Sequence, residues 1–350
     1  MIEPAEFIAS GQLPNARSST SLRTLFFGTA ELACASLSAL HKSGFCEVIA
    51  VVTQPDKPKG RDLALQPTPV KARALNLGLA VLQPLKARAP DFLQEIAALK
   101  PDLVVVAAYG QILSQSLLDL PRFGCLNVHT SLLPKYRGAA PIQWAILEDQ
   151  SETGVTIMKM DAGLDTGDIL AQQVIPILPA DNAQTLHDQL AQLGADLLLQ
   201  TIPDYVDGRI TPRKQPVDGA SYARKITKED GHLDWTQPAR LLWNRVRAFT
   251  PWPGAFTFLP NVEKSPLLKI WRAEVVESIV GQPGEVLPAD GSGLLVACGK
   301  QALRLLEVQR EGGKRLRAQQ FLAGYPLRGQ RFQTLAAKEV FQRSDGWDKL

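Results

Sequence analysis

The sequence predicts an α/β protein that has an N-terminal Rossmann-like parallel-sheet domain followed by a small C-terminal β-barrel, similar to an OB fold. From Leu22 to about residue 208, short apolar runs alternate with longer amphipathic stretches, which is typical of βα units. After about residue 228, short apolar runs are separated by Gly and Pro, which is typical of a small barrel. The chain has 350 residues. A chain of this length is usually too long to fold around a single hydrophobic core, so two domains are expected.

The apolar runs and the helical spacing place the individual elements. Seven strands are predicted in the first part: Leu25 to Gly28, Val48 to Thr53, Ala80 to Gln83, Leu103 to Ala108, Gly124 to His129, Gly154 to Met160 and Ile169 to Ile175. Five helices are predicted between and after them: Glu31 to Lys42, Thr68 to Leu75, Ala89 to Leu99, Pro141 to Glu148 and Thr185 to Val206. The second part is predicted to contain a helix from Pro238 to Phe249 and strands at Ala255 to Leu259, Leu267 to Val276, Gly284 to Leu287, Leu294 to Cys298 and Ala302 to Gln309.

The domain boundaries follow from changes in local composition. Residues 1–20 lack the charged start and apolar middle of a signal peptide, so we interpret them as a disordered leader. Residues 21–208 are the predicted catalytic domain. Residues 209–227 carry two prolines and a glycine without apolar periodicity, which indicates a linker. Residues 228–338 are the predicted barrel, and residues 339–350 are a tail.

The composition is that of an ordinary globular protein, with 45% apolar and 21% charged residues. No stretch approaches the ~18 consecutive apolar residues that a membrane span needs, so no membrane association is expected. The four cysteines form no C-x-x-C pair, and no spacing typical of metal ligands is present. We therefore expect reduced, mostly buried thiols in a cytoplasmic protein that uses no metal.

The charge is distributed unevenly along the chain. Residues 1–208 carry 15 Lys and Arg against 21 Asp and Glu, whereas residues 209–350 carry 23 against 14. A basic second half suggests a polyanionic partner for that half. The alternative is that these charges only maintain solubility.

Two common phosphate-binding motifs are missing. The first strand ends in Phe27-Gly28-Thr29-Ala30, which has a single glycine where a dinucleotide-binding turn has G-x-G-x-x-G. No G-x-x-x-x-G-K-[ST] sequence occurs, so a P-loop is excluded as well. A nicotinamide cofactor is therefore disfavoured.

The most informative segment runs from Cys125 to Pro134. Asn127 and His129 are two positions apart in a predicted strand, so their side chains point to the same side near its carboxyl end. Asp165 follows in a Gly-rich loop after the next strand, where its carboxylate could reach the imidazole. An amide, an imidazole and a carboxylate together can stabilise an oxyanion and transfer a proton. The alternative is a histidine that serves only the structure, but the coincidence of the three polar residues favours an active site.

Three sequence runs resemble the 10-formyltetrahydrofolate-dependent formyltransferases, and within that family the members that act on methionyl-tRNA. These runs extend from Val105 to Leu113, from Asn127 to Gln143 and from Asp161 to Asp168. The resemblance covers nearly everything from Leu22 to about Phe332. The Asn, His, Ser-Leu-Leu-Pro and Asp motifs also occur in relatives that act on glycinamide ribonucleotide. They therefore indicate the chemistry and leave the acceptor open.

Three further features favour tRNA as the acceptor. Residues 54–71 resemble the tRNA-recognition loop of the methionyl-tRNA enzymes, and Lys57, Lys59 and Arg61 supply its charge. The second domain, whose residues 247–253 (RAFTPWP) resemble the start of their barrel, is missing from the nucleotide-acting relatives. This domain also carries the positive charge that a phosphate backbone would attract. For the loop alone, an ordinary solvated surface is the alternative.

The resemblance implies a reaction and a set of roles. The formyl group of 10-formyltetrahydrofolate would pass to the α-amino group of methionine on initiator tRNA, with Asn127 and His129 stabilising the oxyanion and Asp165 orienting His129. The folate would lie near these six residues: Tyr109, Gly110, Ser131, Leu132, Leu133 and Pro134. The tRNA would meet basic side chains, first Lys57, Lys59 and Arg61, then Arg245 and Arg247, and more loosely Lys269, Arg304, Lys314, Arg315 and Arg317.

Two other functions remain open at this point. A formyltransferase for another amine, such as an amino sugar on a nucleotide carrier, can also have a barrel-like second domain. A noncatalytic RNA-binding protein could have kept the fold, although it would have no need for all three polar residues. We expect the protein to be a monomer.

Overall fold

The structure is a computed structural model, and it describes residues 21–59, 64–260, 265–277, 281–288, 291 and 293–333. The predicted leader and tail, residues 1–20 and 339–350, lie outside these ranges. Among the described residues, no helix has both the length and the apolar character needed to cross a bilayer.

Within the described ranges, the N-terminal domain is built around a seven-stranded sheet. Its strands are β1 (Leu22–Gly28), β2 (Cys46–Val52), β5 (Val81–Leu82), β6 (Leu103–Ala107), β7 (Cys125–His129), β9 (Glu152–Lys159) and β10 (Ile169–Pro176). Their order across the sheet is β10-β9-β7-β6-β1-β2-β5. The helices of this domain are α1 (Ala33–Lys42), α2 (Pro69–Asn76), α3 (Pro90–Ala98), α4 (Gln115–Leu118), α5 (Pro141–Leu147) and α6 (Ala183–Val206).

The sheet is buried on both faces because helices cover each side. In β1, the side chain of Phe26 enters one core cluster, whereas those of Leu25 and Phe27 enter the other. This alternation places consecutive residues on opposite faces of the sheet. Helices α1 and α6 pack together on the Phe26 side. Such two-sided burial explains why the strands appear in the sequence as nearly continuous apolar runs.

The sheet is mixed rather than wholly parallel. Strands β1, β2, β5, β6 and β7 are parallel, but β9 runs antiparallel to β7 and β10 runs antiparallel to β9. The short connection 160–168 accounts for the antiparallel pairing of β10 with β9, since a parallel return needs a crossover of about a dozen residues or more. That connection length was visible in the sequence.

Two small paired elements were not predicted. Strands β3 (Lys57–Lys59) and β4 (Ala64–Gln66) form a hairpin inside the loop 54–71, and β8 (Arg137–Gly138) pairs with β11 (Tyr222–Ala223) from the segment predicted to be the linker. These strands have two or three residues each and show no apolar alternation, so the sequence gives no signal for them.

The described part of the C-terminal domain contains a six-stranded antiparallel sheet. It begins after a 3₁₀ turn (Glu229–Gly231) and helix α7 (Ala239–Ala248). Its strands are β12 (Ala255–Phe258), β13 (Leu267–Val276), β14 (Val286–Leu287), β15 (Leu294–Ala297), β16 (Ala302–Arg310) and β17 (Arg315–Arg317). Helix α8 (Ala318–Gly324) follows β17, and both helices pack their apolar residues into one core with the sheet.

Candidate active site

Asn127 and His129 lie at the end of β7 with little exposed surface, 9% and 6% respectively. Val128 between them packs on the opposite face, in the same core cluster as α6. The helix approaches so closely that a Cβ at Gly194 would lie 2.7 Å from Val128 Cγ1. This contact holds the strand so that Asn127 and His129 face away from α6.

Asp165 lies between β9 and β10, and its carboxylate meets both of these side chains. Asn127 Nδ2 donates to Asp165 Oδ1 at 3.4 Å, and His129 Nδ1 lies 3.8 Å from Asp165 Oδ2. The backbone N–H of Gly138 donates to the same Oδ2 at 2.8 Å. The structure therefore brings together the three side chains that the sequence singled out.

The loop that carries Asp165 folds back along β7. Its first residue, Met160, donates its N–H to Cys125 O at 2.8 Å, at the start of the strand. Asp161 Oδ1 accepts from Thr166 Oγ1 at 2.7 Å, which closes the loop on itself. Asp165 has a positive φ of 52°, a conformation that Asp and Asn adopt more readily than other side chains. An internally bonded loop thus holds the carboxylate in place.

A backbone carbonyl determines which nitrogen of His129 carries a hydrogen. His129 Nε2 lies 2.9 Å from Tyr136 O. Because a carbonyl oxygen only accepts, Nε2 must be the donor, and we assign the tautomer on that basis. Nδ1 is therefore the nitrogen that gains or loses a proton, and it faces Asp165. A protonated imidazole in this position would form an ion pair with the carboxylate.

Tyr136 is itself held firmly. Its hydroxyl donates to Glu148 Oε2 at 2.6 Å, and its N–H donates to Ser221 Oγ at 3.0 Å. Burial, together with the hydrogen bond to Glu148, raises the pKa of Tyr136 well above its usual value. The carbonyl that orients His129 thus belongs to a residue with two fixed partners.

The arrangement suits a reaction in which negative charge develops on an oxygen. The amide of Asn127 has two hydrogens, and only one is directed at Asp165. The second can be donated to a substrate oxygen beside the His129 ring. A fixed donor of this type in a largely water-excluded site typically contributes about 3 kcal/mol of barrier lowering.

The turn after β7 contains four of the six residues predicted to lie near the folate: Ser131, Leu132, Leu133 and Pro134. Ser131 is fully buried and donates to Lys135 O at 2.6 Å. Leu133 packs with Met158 and Ile169, and its N–H donates to Thr156 Oγ1 at 3.1 Å. Ser131 and Leu133 therefore determine the shape of the turn rather than present their side chains to a ligand.

The end of β6 forms the neighbouring edge of the site. Tyr109 is 2% exposed and packs edge-to-face on Phe27, with ring centroids 5.2 Å apart. Gly110 has a φ of 81°, and a Cβ there would lie 2.7 Å from Gln54 Nε2. Ile112 two residues later is 83% exposed. At this edge the predicted residue Tyr109 points inward, while Gly110 and Ile112 face solvent.

The β3–β4 hairpin is anchored beside this edge. Gln54 Nε2 donates to Tyr109 O at 2.9 Å, and Lys57 Nζ donates to Gln54 Oε1 at 3.1 Å. Lys57 is exposed, Lys59 ends β3, and Arg61 lies outside the described residues. The segment predicted to recognise tRNA therefore begins next to the site.

Arg245 and Arg247 occupy different surroundings from those expected of tRNA contacts. Arg247 is 9% exposed, and its guanidinium donates to Asp181 O at 2.7 Å and to Leu178 O at 2.8 Å. Arg245 donates to Asp230 O. Burial lowers the pKa of both guanidinium groups. These contacts join α7 to the rest of the fold, so we do not include either arginine in the proposed tRNA surface.

The remaining basic candidates are distributed over the C-terminal sheet. Lys314, Arg315 and Arg317 lie on or beside the exposed β17, and Arg315 pairs with Glu307. Arg304 pairs with Glu274 at 2.7 Å. Lys269 lies on β13. Each stays a prediction.

The cysteines show no sign of a nucleophile. All four are buried, and none forms a disulfide. Burial raises the pKa of Cys125, the one nearest Asn127 in sequence, to about 12. Its thiol therefore stays protonated at neutral pH. In the described residues, no group of three or more His, Cys, Asp and Glu side chains could hold a metal ion.

Sequence reasoning missed three residues of the site. Tyr136 and Gly138 contribute only backbone groups, and Gln215 reaches the Asp165 loop from the linker. Of these three residues, only Gly138 has a signal in the sequence, because glycine marks backbone positions that most side chains cannot adopt. The φ of Gly138 is 113°. No local pattern indicates that Gln215 approaches Asp165.

Two family models match the chain. The model described as formyl transferase matches residues 22–202, and the model described as formyl transferase, C-terminal domain, matches residues 225–326. Methionyl-tRNA formyltransferase of Geobacter sulfurreducens is 51% identical over 306 residues, which cover 87% of this chain and 95% of that protein. The protein of the same name from Caldanaerobacter subterraneus is 49% identical over 308 residues, which cover 87% and 98%.

Solved structures share the fold at low sequence identity. HypX from Aquifex aeolicus in complex with tetrahydrofolic acid has a TM-score of 0.58 at 19% identity, covering 90% of this chain and 49% of that chain. The N-formyltransferase from Helicobacter canadensis, in complex with folinic acid and dTDP-3-aminofucose, has a TM-score of 0.58 at 20% identity, covering 81% and 99%. With the two family models, these likenesses confirm the predicted fold class.

Proposed function

The chain belongs to the formyl transferase family, and on that premise we propose that it transfers the formyl group of 10-formyltetrahydrofolate to the α-amino group of methionine carried by initiator tRNA. The observation that carries the proposal is the convergence of Asn127, His129 and Asp165. Relatives of about half-identical sequence over most of the chain are methionyl-tRNA formyltransferases, which supports this acceptor.

The edge of the site fits a reduced folate. Ile112 is 83% exposed and Leu85 is 84% exposed, and Gln111 links their two loops by accepting the Ala87 N–H at 2.9 Å. Two exposed apolar side chains on loops joined by a hydrogen bond suit a flat heteroaromatic ring. We propose that Gly110 and the turn of residues 131–134 complete this surface.

The reaction follows from the hydrogen bonds of the three residues. The folate supplies a formyl carbon, to which the amine nitrogen forms a bond as the bond to the folate nitrogen breaks. Asn127 donates its free amide hydrogen to the formyl oxygen as negative charge develops there. His129 Nδ1 takes the proton that leaves the amine and passes it, directly or through water, to the departing folate nitrogen. Asp165 stabilises the protonated ring while it holds that proton.

The position of the hairpin supports tRNA as the acceptor. Lys57 is exposed at a segment joined through Gln54 to the end of β6, next to β7. A phosphate or base near the acceptor end of a tRNA would meet this lysine while the aminoacyl group lies at Asn127. We propose Lys59 and Arg61 as further contacts of the same segment.

We also propose a domain organisation in which residues 21–208 form the catalytic domain, residues 209–227 the linker and residues 228–338 the tRNA-binding domain. We propose that the protein acts as a monomer. Four buried cysteines without disulfides support the cytoplasm as the location.

The experiment compares acceptors with purified full-length protein and 10-formyltetrahydrofolate. Initiator methionyl-tRNA, elongator methionyl-tRNA and a dTDP-amino sugar are incubated separately, and formylated product is measured by mass spectrometry. We expect rapid formylation of the initiator methionyl-tRNA. The proposal fails if the amino sugar is formylated at low enzyme concentration while the methionyl-tRNA is not.

A further inference from the structure

The linker touches the active site at three successive points. Arg213 and Ile169 exchange two backbone hydrogen bonds, of 2.7 Å and 2.9 Å, at the start of β10. Gln215 reaches the Asp165 loop two residues later. The pair Tyr222–Ala223 then adds a parallel strand to Arg137–Gly138. This segment is therefore part of the wall of the site as well as a connection between domains.

Gln215 uses both ends of its side-chain amide. Its Nε2 donates to Asp165 O and to Gly167 O, each at 2.8 Å. Its Oε1 accepts from Arg137, from Nη2 at 2.7 Å and from Nε at 3.1 Å. The side chain thus ties the Asp165 loop to the segment that contains Gly138. These are the two segments that meet at the Asp165 carboxylate.

The backbone of Asp165 needs such an anchor. Its φ of 52° lies in the left-handed region, where a residue with a side chain stays only if its surroundings hold it there. The hydrogen bond from Gln215 is made to the carbonyl of this residue. A rotation of the backbone at this position would move the carboxylate away from His129 and Asn127.

The linker also fixes the opposite side of the carboxylate. Ala223 O accepts the Ala139 N–H at 2.8 Å, and a Cβ on Gly138 would lie 2.8 Å from that oxygen. These contacts hold the backbone at Gly138 in the conformation in which its N–H donates to Asp165. Both the loop that carries Asp165 and the group that holds its carboxylate depend on linker residues.

We propose that Gln215 is a positioning residue for formyl transfer, which acts through Asp165 and makes the interdomain linker a working part of the active site. This inference rests on the proposed function. It predicts that the amide of Gln215 governs the rate of transfer and leaves the binding of both substrates nearly unchanged.

The test is the substitution Gln215→Glu in the full-length protein. A carboxylate of nearly the same size still accepts from Arg137, but it cannot donate to the carbonyls of Asp165 and Gly167. We expect kcat to fall about tenfold or more, because small misplacements of a catalytic group are costly. The KM values for methionyl-tRNA and for 10-formyltetrahydrofolate should change by less than about twofold.

A double-mutant cycle separates positioning from general structural damage. If Gln215 acts through Asp165, then adding Gln215→Glu to an Asp165→Asn protein should lower kcat by less than about twofold further. An equal loss in both backgrounds would overturn the proposal, and so would an unchanged kcat in the single variant. Gln200→Glu makes the same chemical change on the exposed face of α6 and should leave kcat at the wild-type value.

A second variant and the wild-type protein complete the design. Gln215→Met removes both hydrogen-bonding ends without adding a charge, and it replaces Gln215→Glu if thermal unfolding shows that the glutamate variant is not folded. A wild-type protein that formylates a different amine would contradict the proposed function. The same comparison of kcat values, made with that amine, would then still decide the role of Gln215.

Discussion

The carboxylate of Asp165 is held by the backbone of Gly138, whose N–H donates to Asp165 Oδ2 at 2.8 Å. The same oxygen lies 3.8 Å from His129 Nδ1, so one atom receives a fixed hydrogen bond and faces the exchangeable proton of the imidazole. A hydrogen bond from a backbone amide fixes the position of this oxygen beside the ring. The Asp165 carboxylate is thereby kept in one place beside His129.

Replacing Asn127 with Ala should remove the donor to the reacting oxygen. We expect kcat to fall about 100-fold to 1000-fold, because loss of one such donor costs about 3 kcal/mol of barrier. Steady-state kinetics with methionyl-tRNA would measure the change, and thermal unfolding would verify folding. Asn76→Ala, at an exposed residue that ends α2, serves as the control and should retain full activity. Unchanged formylation by the Asn127 variant would contradict the role of this amide as the donor to the reacting oxygen.

Replacing Lys57 with Ala should weaken tRNA binding without changing the chemistry. We expect a higher KM for methionyl-tRNA, an unchanged KM for the folate, and a plot of log KM against log salt whose slope is smaller by about one unit. Lys42→Ala removes an exposed lysine from the end of α1 and should affect neither parameter. A KM for tRNA that stays the same in the Lys57 variant would exclude this lysine from the tRNA contact.

Two arginines of α7 should differ strongly in their contribution to stability. Arg247 is buried and donates to the carbonyls of Asp181 and Leu178, so Arg247→Met should cost about 3 kcal/mol by leaving these acceptors unpaired. Arg240 is half exposed and pairs with Asp149, so Arg240→Met should cost less than about 1 kcal/mol. Urea denaturation would measure both. A higher KM for tRNA with unchanged stability in the Arg247 variant would show that this side chain binds tRNA after all.

His232 should make the protein less stable in mild acid. Burial lowers the pKa of His232 to about 4, and the neighbouring charges of Asp234 and Arg245 act in opposite directions. An unfolded histidine has a pKa near 6.5, so the unfolded chain takes up a proton between pH 6.5 and pH 4 that the folded protein does not. Stability is therefore full above pH 6.5 and falls as the pH drops through this interval.

We expect His232 to lower the free energy of unfolding at pH 4 by on the order of 2 kcal/mol. This is less than the full pKa shift would give, because the ring keeps some contact with water. The carboxylates with lowered pKa values, Asp56, Asp149 and Asp230, lose their contributions only below a pH of about 3.8. In urea denaturation from pH 4 to 7, His232→Gln should flatten the dependence, whereas the exposed-site control His41→Gln should not. If stability depended on pH with the same slope in the wild-type protein and in both variants, this assignment to His232 would be contradicted.

The sequence predicted the strand that carries Asn127 and His129 because its signal is local. The run Leu103–Ala107 and the run Cys125–His129 are apolar and short, and the two-residue period of a strand places both polar side chains on one face. The proximity of Asp165 was predicted from its glycine-rich loop. The antiparallel pairing of β10 with β9 was not, although the nine-residue connection between these two strands already argued against a parallel return.

The contacts that position the site could not be read from the sequence. Gln215 lies 50 positions from Asp165, and Ser221 lies 85 positions from Tyr136. Such pairs meet only after residues 209–227 have returned across the N-terminal domain, and no periodicity in the sequence indicates that path. The burial of Arg245 and Arg247 could not be predicted either. In the sequence they are basic residues of a basic domain, which is also the pattern of a nucleic-acid surface.

The most direct test of the central claim is the kcat of Asp165→Asn measured with initiator methionyl-tRNA and 10-formyltetrahydrofolate. Asn has nearly the same shape and also tolerates the left-handed backbone at this position, so the substitution removes the charge together with one of the two oxygens that accept from Asn127 and Gly138. The exposed linker residue Asp218 provides the matched control, Asp218→Asn. We predict that kcat of the Asp165 variant falls by about 100-fold or more while both KM values stay within about twofold. An Asp165→Asn protein that turns over at the wild-type rate would contradict the claim that this charge acts on His129.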